Sequence, residues 1–118
     1  RPVLAPEAFE YKVGWSTNAL RLPDGTYLVA YHGILRHDLS YRHGFMRLSP
    51  EGRPLGLSHY LLAPPGLAEC YGDRPLTLYG NGLLLHGEEL VFVGGVGDYA
   101  IGVFTAPLEE VLKRVVPL

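Results

Sequence analysis

Apolar and polar positions alternate along this chain in short runs, and each run ends on a turn signal. A period of two predicts strands rather than helices. Arg1 to Phe9 carries Pro2 and Pro6 and shows no period, so it reads as an irregular lead-in. Val13 to Leu22 reads as a first strand, with Leu20 and Leu22 on one face. Pro23-Asp24-Gly25 is a turn, because proline presets φ and glycine takes a positive one. Thr26 to Tyr31, rich in β-formers, is a second strand that ends at His32. Gly33 to Ser40 reads as a loop, with His37 and Asp38 near its tip. Tyr41 to Leu48 is a third strand, Pro50 to Arg53 a second turn, and Leu55 to Leu62 a fourth strand.

The pattern then restarts. Leu61-Leu62-Ala63-Pro64 repeats Val3-Leu4-Ala5-Pro6, and Asn81 opens a match to the run from Asn18. Gly87 with Leu90 to Gly95 matches Gly25 with Leu28 to Gly33. Gly102-Val103-Phe104 falls where Gly44-Phe45-Met46 fell. A shared period with small insertions marks an internal repeat, here about 1–60 and 61–118. Each unit holds a connector and up to four strands, which is the content of a propeller blade.

The second unit ends differently. After Pro107, Leu108, Val111, Leu112 and Val115 recur at helical spacing, with glutamates first and Lys113-Arg114 last. That polarity predicts a short helix that caps an open sheet edge. The expected fold class is therefore all-β: about two propeller blades and a short C-terminal helix, in a single β-rich unit. Two blades cannot close a ring. Further blades or other chains must cover their faces and edges. A compact two-sheet β-domain is the alternative.

Composition narrows the function classes. The chain has 118 residues and is 47% hydrophobic, enough for one domain with a core. A net charge of −2 gives no basic face for nucleic acid. No apolar run reaches the length of a membrane span, and no amino-terminal segment resembles a signal peptide. A cytoplasmic protein is expected. The chain opens on Arg1 rather than Met, and reads as trimmed or partial.

A few residues could carry chemistry. Lys12, among Phe9, Tyr11, Val13 and Trp15, is either a solvated surface lysine or a point charge for a phosphate or carboxylate. His32 is either a packed strand residue or a functional one. Its counterpart is Gly94, so the scaffold does not require an imidazole there. Asp98 reads as a turn aspartate or as a carboxylate gripping sugar hydroxyls. Gly94 to Gly97 is followed by no Lys-Ser/Thr and no helix, which excludes a phosphate loop. His37, His43, His59 and His86 lack metal-ligand spacing and Cys70 stands alone, so no metal is expected. Glu10 and Glu69 are repeat equivalents and point to a shared structural task. Arg42 and Arg47 read as surface residues.

Five segments together resemble a known family. They are Glu10-Tyr11-Lys12-Val13-Gly14, the strand end Tyr31-His32-Gly33, and Tyr41-Arg42-His43-Gly44-Phe45. The other two are the run from Leu61 to Glu69 and the close from Gly95-Val96-Gly97-Asp98 to Leu112. They resemble the carboxy-terminal part of glycoside hydrolase family 130, whose members are inverting β-mannoside phosphorylases and related β-mannosidases on a five-bladed propeller. The resemblance covers nearly the whole chain. It implies that Lys12 and His32 bind inorganic phosphate, together with arginines from an earlier part of the protein. It implies that Asp98 holds the substrate's glycone sugar, with Tyr31 also in the substrate site. The general acid would lie outside this chain, so no catalytic residue is expected within it. The implied reaction is phosphate attack on a β-mannosidic bond with inversion. Phosphate is the co-substrate, a mannoside or oligosaccharide the substrate, and no metal or organic cofactor is called for. No nucleic-acid or membrane partner is implied. A hydrolytic β-mannosidase and a non-catalytic carbohydrate-binding or structural fragment are the alternatives.

Overall fold

A computed structural model of the chain describes residues 5–8, 10–36, 41–59, 61, 78–96 and 100–118. The described elements are β1 (Glu10–Trp15), β2 (Leu20–Arg21), β3 (Tyr27–Leu35), β4 (Tyr41–Leu48), β5 (Pro54–Leu57), β6 (Leu78–His86), β7 (Glu89–Val96), β8 (Ala100–Pro107), α1 (Leu108–Lys113) and β9 (Val116–Pro117). They form two antiparallel sheets. One runs β1-β3-β4-β5-β9, with β2 also on β3, and the other runs β6-β7-β8. Each half of the sequence thus supplies one meander. The protein is all-β, with two propeller blades side by side and one short helix among the described residues.

The third strand occupies Tyr41–Leu48 as the alternation predicts. The first does not run unbroken from Val13 to Leu22. The Ser16 amide still donates to Ala30 O at 3.0 Å, but Thr17 to Ala19 leave the ladder between β1 and β2, where short polar side chains take over the bonding. Thr17 Oγ1 accepts the Ala30 amide at 3.0 Å, and Asn18 turns away to the other blade. The second strand is longer than its β-propensity suggests and carries His32 in its interior, not at its end. The fourth is confined to Pro54–Leu57. Beyond it the chain still bonds β4: the Ser58 and Leu61 amides donate to Phe45 O and His43 O, both at 2.8 Å.

The β2–β3 hairpin turns where Pro23-Asp24-Gly25 requires. Gly25 has φ +88°, and its amide donates to Leu22 O at 3.0 Å. Asp24 accepts from the Thr26 hydroxyl and amide and pairs with Arg47. Those bonds hold its carboxyl below the usual carboxylate range, the Thr26 hydroxyl contributing most.

The main core lies between the two sheets. Leu22, Leu28, Ala30 and Phe45 come from the first blade, Leu83, Leu90 and Phe92 from the second, and Val111 from α1. The helix has Pro107 at its N-cap, Glu109 and Glu110 in its first turn and Lys113 in its last, the polarity its dipole favours. It does not cap a sheet edge as expected. Its apolar side, with Leu108, Val111 and Leu112, packs into the inter-blade core, since those positions face one way at helical spacing. The edge of β5 is covered instead by β9, where Leu57 stands opposite Val116 and Gly56 opposite Pro117. No described helix is long and apolar enough to cross a membrane.

On the far side of the first blade, Val29, Tyr31, Met46 and Leu48 form a second buried cluster. The far side of the second blade is different. Leu84, Ile101 and Val103 are exposed there, Ile101 by 81%.

Candidate functional site

His32 belongs to a row of three residues that cross the first blade. It stands opposite Gly14 of β1 and opposite His43 of β4. The same row in the second blade reads Gly80, Gly94, Gly102. Every side chain of the first row beyond its glycine is an imidazole, and every position of the second row is bare. The register also corrects the repeat alignment in β4. His43, not Gly44, is the equivalent of Gly102.

The first glycine of the bare row makes room for Ser16, which lies beside the other row. A Cβ at Gly80 would lie 2.8 Å from Ser16 Cβ and 2.9 Å from Ser16 O. Gly14 serves His32 in the same way: a Cβ there would be 2.9 Å from both Cε1 and Nε2 of the imidazole. The ring therefore lies with its Cε1–Nε2 edge over the Gly14 backbone, and Nδ1 points inward. Ser16 Oγ is 2.8 Å from His32 Nδ1 and 3.0 Å from His43 Nδ1. His43 is fully buried, with its ring edge-on to Phe92 at a centroid distance of 5.2 Å. Among the described residues no buried side-chain nitrogen or oxygen lacks a partner. Asn18 ties the same junction from the side. Its Nδ2 donates to Leu83 O at 3.0 Å, and its Oδ1 accepts the Leu83 amide at 2.8 Å.

The other expected site residues are placed as follows. Lys12 stands opposite Ile34 in the ladder, two residues from Gly14 and so beside the His32 pair. Asp98 lies outside the described residues, as do His37, Glu69 and Cys70. Tyr31 projects to the face opposite His32. It is buried, it lies over Gly44, and its hydroxyl donates to Ser58 O at 2.7 Å. That hydroxyl is used within the fold. Arg47 is partly exposed and pairs with Asp24. An apolar cleft of about 380 Å³ opens between the sheets beside Phe45, Leu61, Phe104 and Val111, but it holds none of the expected residues. Ser16 and His43 are the residues that spacing did not single out.

Burial disfavours the imidazolium at His32 and lowers its pKa below the ordinary 6.5. The unfolded chain therefore takes up this proton at a higher pH than the folded one. The stability tied to a neutral His32 is full above about pH 6.5 and is lost as pH falls through the lower, folded-state value. The urea midpoint of the wild type should fall more between pH 7.5 and pH 5 than that of a His32→Gln variant. Equal falls would show that His32 carries none of the dependence.

The family model described as beta-1,4-mannooligosaccharide phosphorylase matches residues 1–116 of the chain. No curated protein matches the sequence. Among solved structures, the beta-1,2-mannobiose phosphorylase from Listeria innocua, in complex with beta-1,2-mannobiose, is similar to this chain with a TM-score of 0.84 at 22% identity. The match covers 96% of this chain and 33% of that one, so the chain spans about a third of that relative's length.

Proposed function

Because the chain belongs to glycoside hydrolase family 130, we propose that it supplies two adjacent blades of a five-bladed enzyme that cleaves β-mannosides with inorganic phosphate. The observation that carries this reading is the setting of His32. Its ring edge lies over Gly14, two positions along β1 from Lys12. A fixed imidazole donor and a lysine charge on neighbouring strands suit one anion. Phosphate held there is positioned to attack the anomeric carbon from the side opposite the leaving group, which inverts that centre. Lys12 offsets the phosphate charge, and His32 fixes one of its oxygens. The proton for the departing sugar oxygen comes from a residue beyond this chain, and Asp98 is the carboxylate assigned to the glycone.

The exposed face of Leu84, Ile101 and Val103 fits the same reading. It is an apolar blade face, and a further blade of the propeller is what such a face packs against. The deciding assay incubates the full-length protein with β-mannobioses in phosphate and in a phosphate-free buffer. Phosphorolysis yields α-mannose 1-phosphate, visible by ³¹P NMR, and little turnover without phosphate. Free mannose as the sole product in both buffers would make the protein a hydrolase. Binding of the sugar without turnover in either would make it a binding module.

A further inference from the structure

We propose that Ser16 and His43 are positioning residues that set the tautomer of His32, so that its Nε2, the ring nitrogen away from Ser16, carries a proton and donates to the anion. This rests on the phosphate reading above for the identity of the anion, but the hydrogen-bond logic does not depend on it.

The serine hydroxyl has one proton and lies within bonding distance of two Nδ1 atoms. It can donate to at most one of them, so at least one of the two nitrogens carries a proton and donates to Oγ. In the proposed arrangement Ser16 donates to His32 Nδ1, 2.8 Å away, and His43 Nδ1–H donates to Ser16 Oγ, 3.0 Å away. With Nδ1 accepting, neutral His32 must hold its proton on Nε2, the atom over Gly14. The relay starts in a group that has little freedom to change. His43 is fully buried against the edge of Phe92. Ser16 is wedged against Gly80 of the neighbouring blade, which any side chain would displace.

The repeat argues that this arrangement serves the site and not the blade. The second blade replaces both histidines with glycine at Gly94 and Gly102, and the β7–β8 ladder runs unbroken through them. A blade thus closes without the pair. Apart from Tyr27, Tyr31 and Tyr41, the charged or titratable groups on β3 and β4 beside this row are Arg42 and Arg47. Arg47 is engaged by Asp24 on the hairpin. Arg42 is next to His43 in sequence and so projects to the other face of β4.

The test uses full-length protein labelled with ¹⁵N-histidine. Ring nitrogen shifts should report Nε2–H for His32 and Nδ1–H for His43, with the His32 signals assigned from their loss in His32→Gln. In Ser16→Ala the His32 signals should move towards a tautomer mixture, and KM for phosphate should rise about tenfold. His43→Phe keeps the ring packing on Phe92 and should do the same. His43→Asn restores a donor near Nδ1 and should recover most of the loss. An Nδ1–H tautomer for His32 in the wild type overturns the proposal, and this measurement needs no variant to fold. Unchanged phosphate KM in folded Ser16→Ala and His43→Phe also overturns it. If His32→Gln itself leaves phosphate dependence unchanged, the phosphate reading fails, while the ring shifts still decide the relay.

Discussion

Phe92→Ala is expected to destabilise the protein by about 3–5 kcal/mol, the range for emptying a buried aromatic site. Phe92 is 2% exposed and sits where the two blades meet. Its ring is edge-on to His43 at 5.2 Å and to its ladder partner Phe104 at 6.1 Å. It also packs with Leu28, Ala30 and Phe45 across the junction. Little can collapse into the space it leaves, because the strands on both sides are held in register by their own ladders. Thermal or urea unfolding of the full-length protein reads out the loss, and Phe92→Leu, which keeps most of the volume, should cost less than half as much. A loss below about 1 kcal/mol for Phe92→Ala would mean that the blades are not joined through this core.

The residues around Phe92 also show what could be read from the sequence. The period-two alternation and the restart near Leu61 were enough for two β-meanders, because burial of alternate residues leaves that imprint whatever the partners are. The contrast between His32 and Gly94 was equally legible. His43 was not. The marker nearest to it was Gly44-Phe45 against Gly102-Val103-Phe104, and aligning glycine to glycine slides β4 by one residue. One residue is a whole face in a strand, so the slip hid that His43 shares the row of His32. Ser16 was hidden for a related reason. Thr17 and Asn18 pass for strand residues, yet Thr17 bonds Ala30 in place of the main chain and Asn18 reaches Leu83, which frees Ser16 to lie between the histidines. The helix misled through its ends: its polarity predicts that it forms, but only the inter-blade core decides which surface it covers. Lys12 could be suspected by composition and placed by register, whereas the partner of a lone charge is set by folding, not by spacing.

His32→Ala should lower kcat/KM for phosphate about 100-fold in the full-length protein. A hydrogen bond to a charged group is worth about 1.5–3 kcal/mol, and each 1.4 kcal/mol is a factor of ten. The substitution also removes the ring that occupies the space over Gly14, so water enters where an oriented donor stood. The loss should be the same at pH 7 and pH 8, because burial keeps His32 neutral across that interval and it acts as a donor rather than as a charge. Lys12→Ala should differ in kind. It removes a full charge, so its effect should shrink as salt rises and screens what the lysine contributes. Initial rates over a phosphate series, at two pH values and two salt concentrations, separate the two roles. If both variants kept the wild-type dependence on phosphate while unfolding at the wild-type temperature, neither residue would touch the anion. The Gly14–His32–His43 row would then be a polar seam between blades and nothing more.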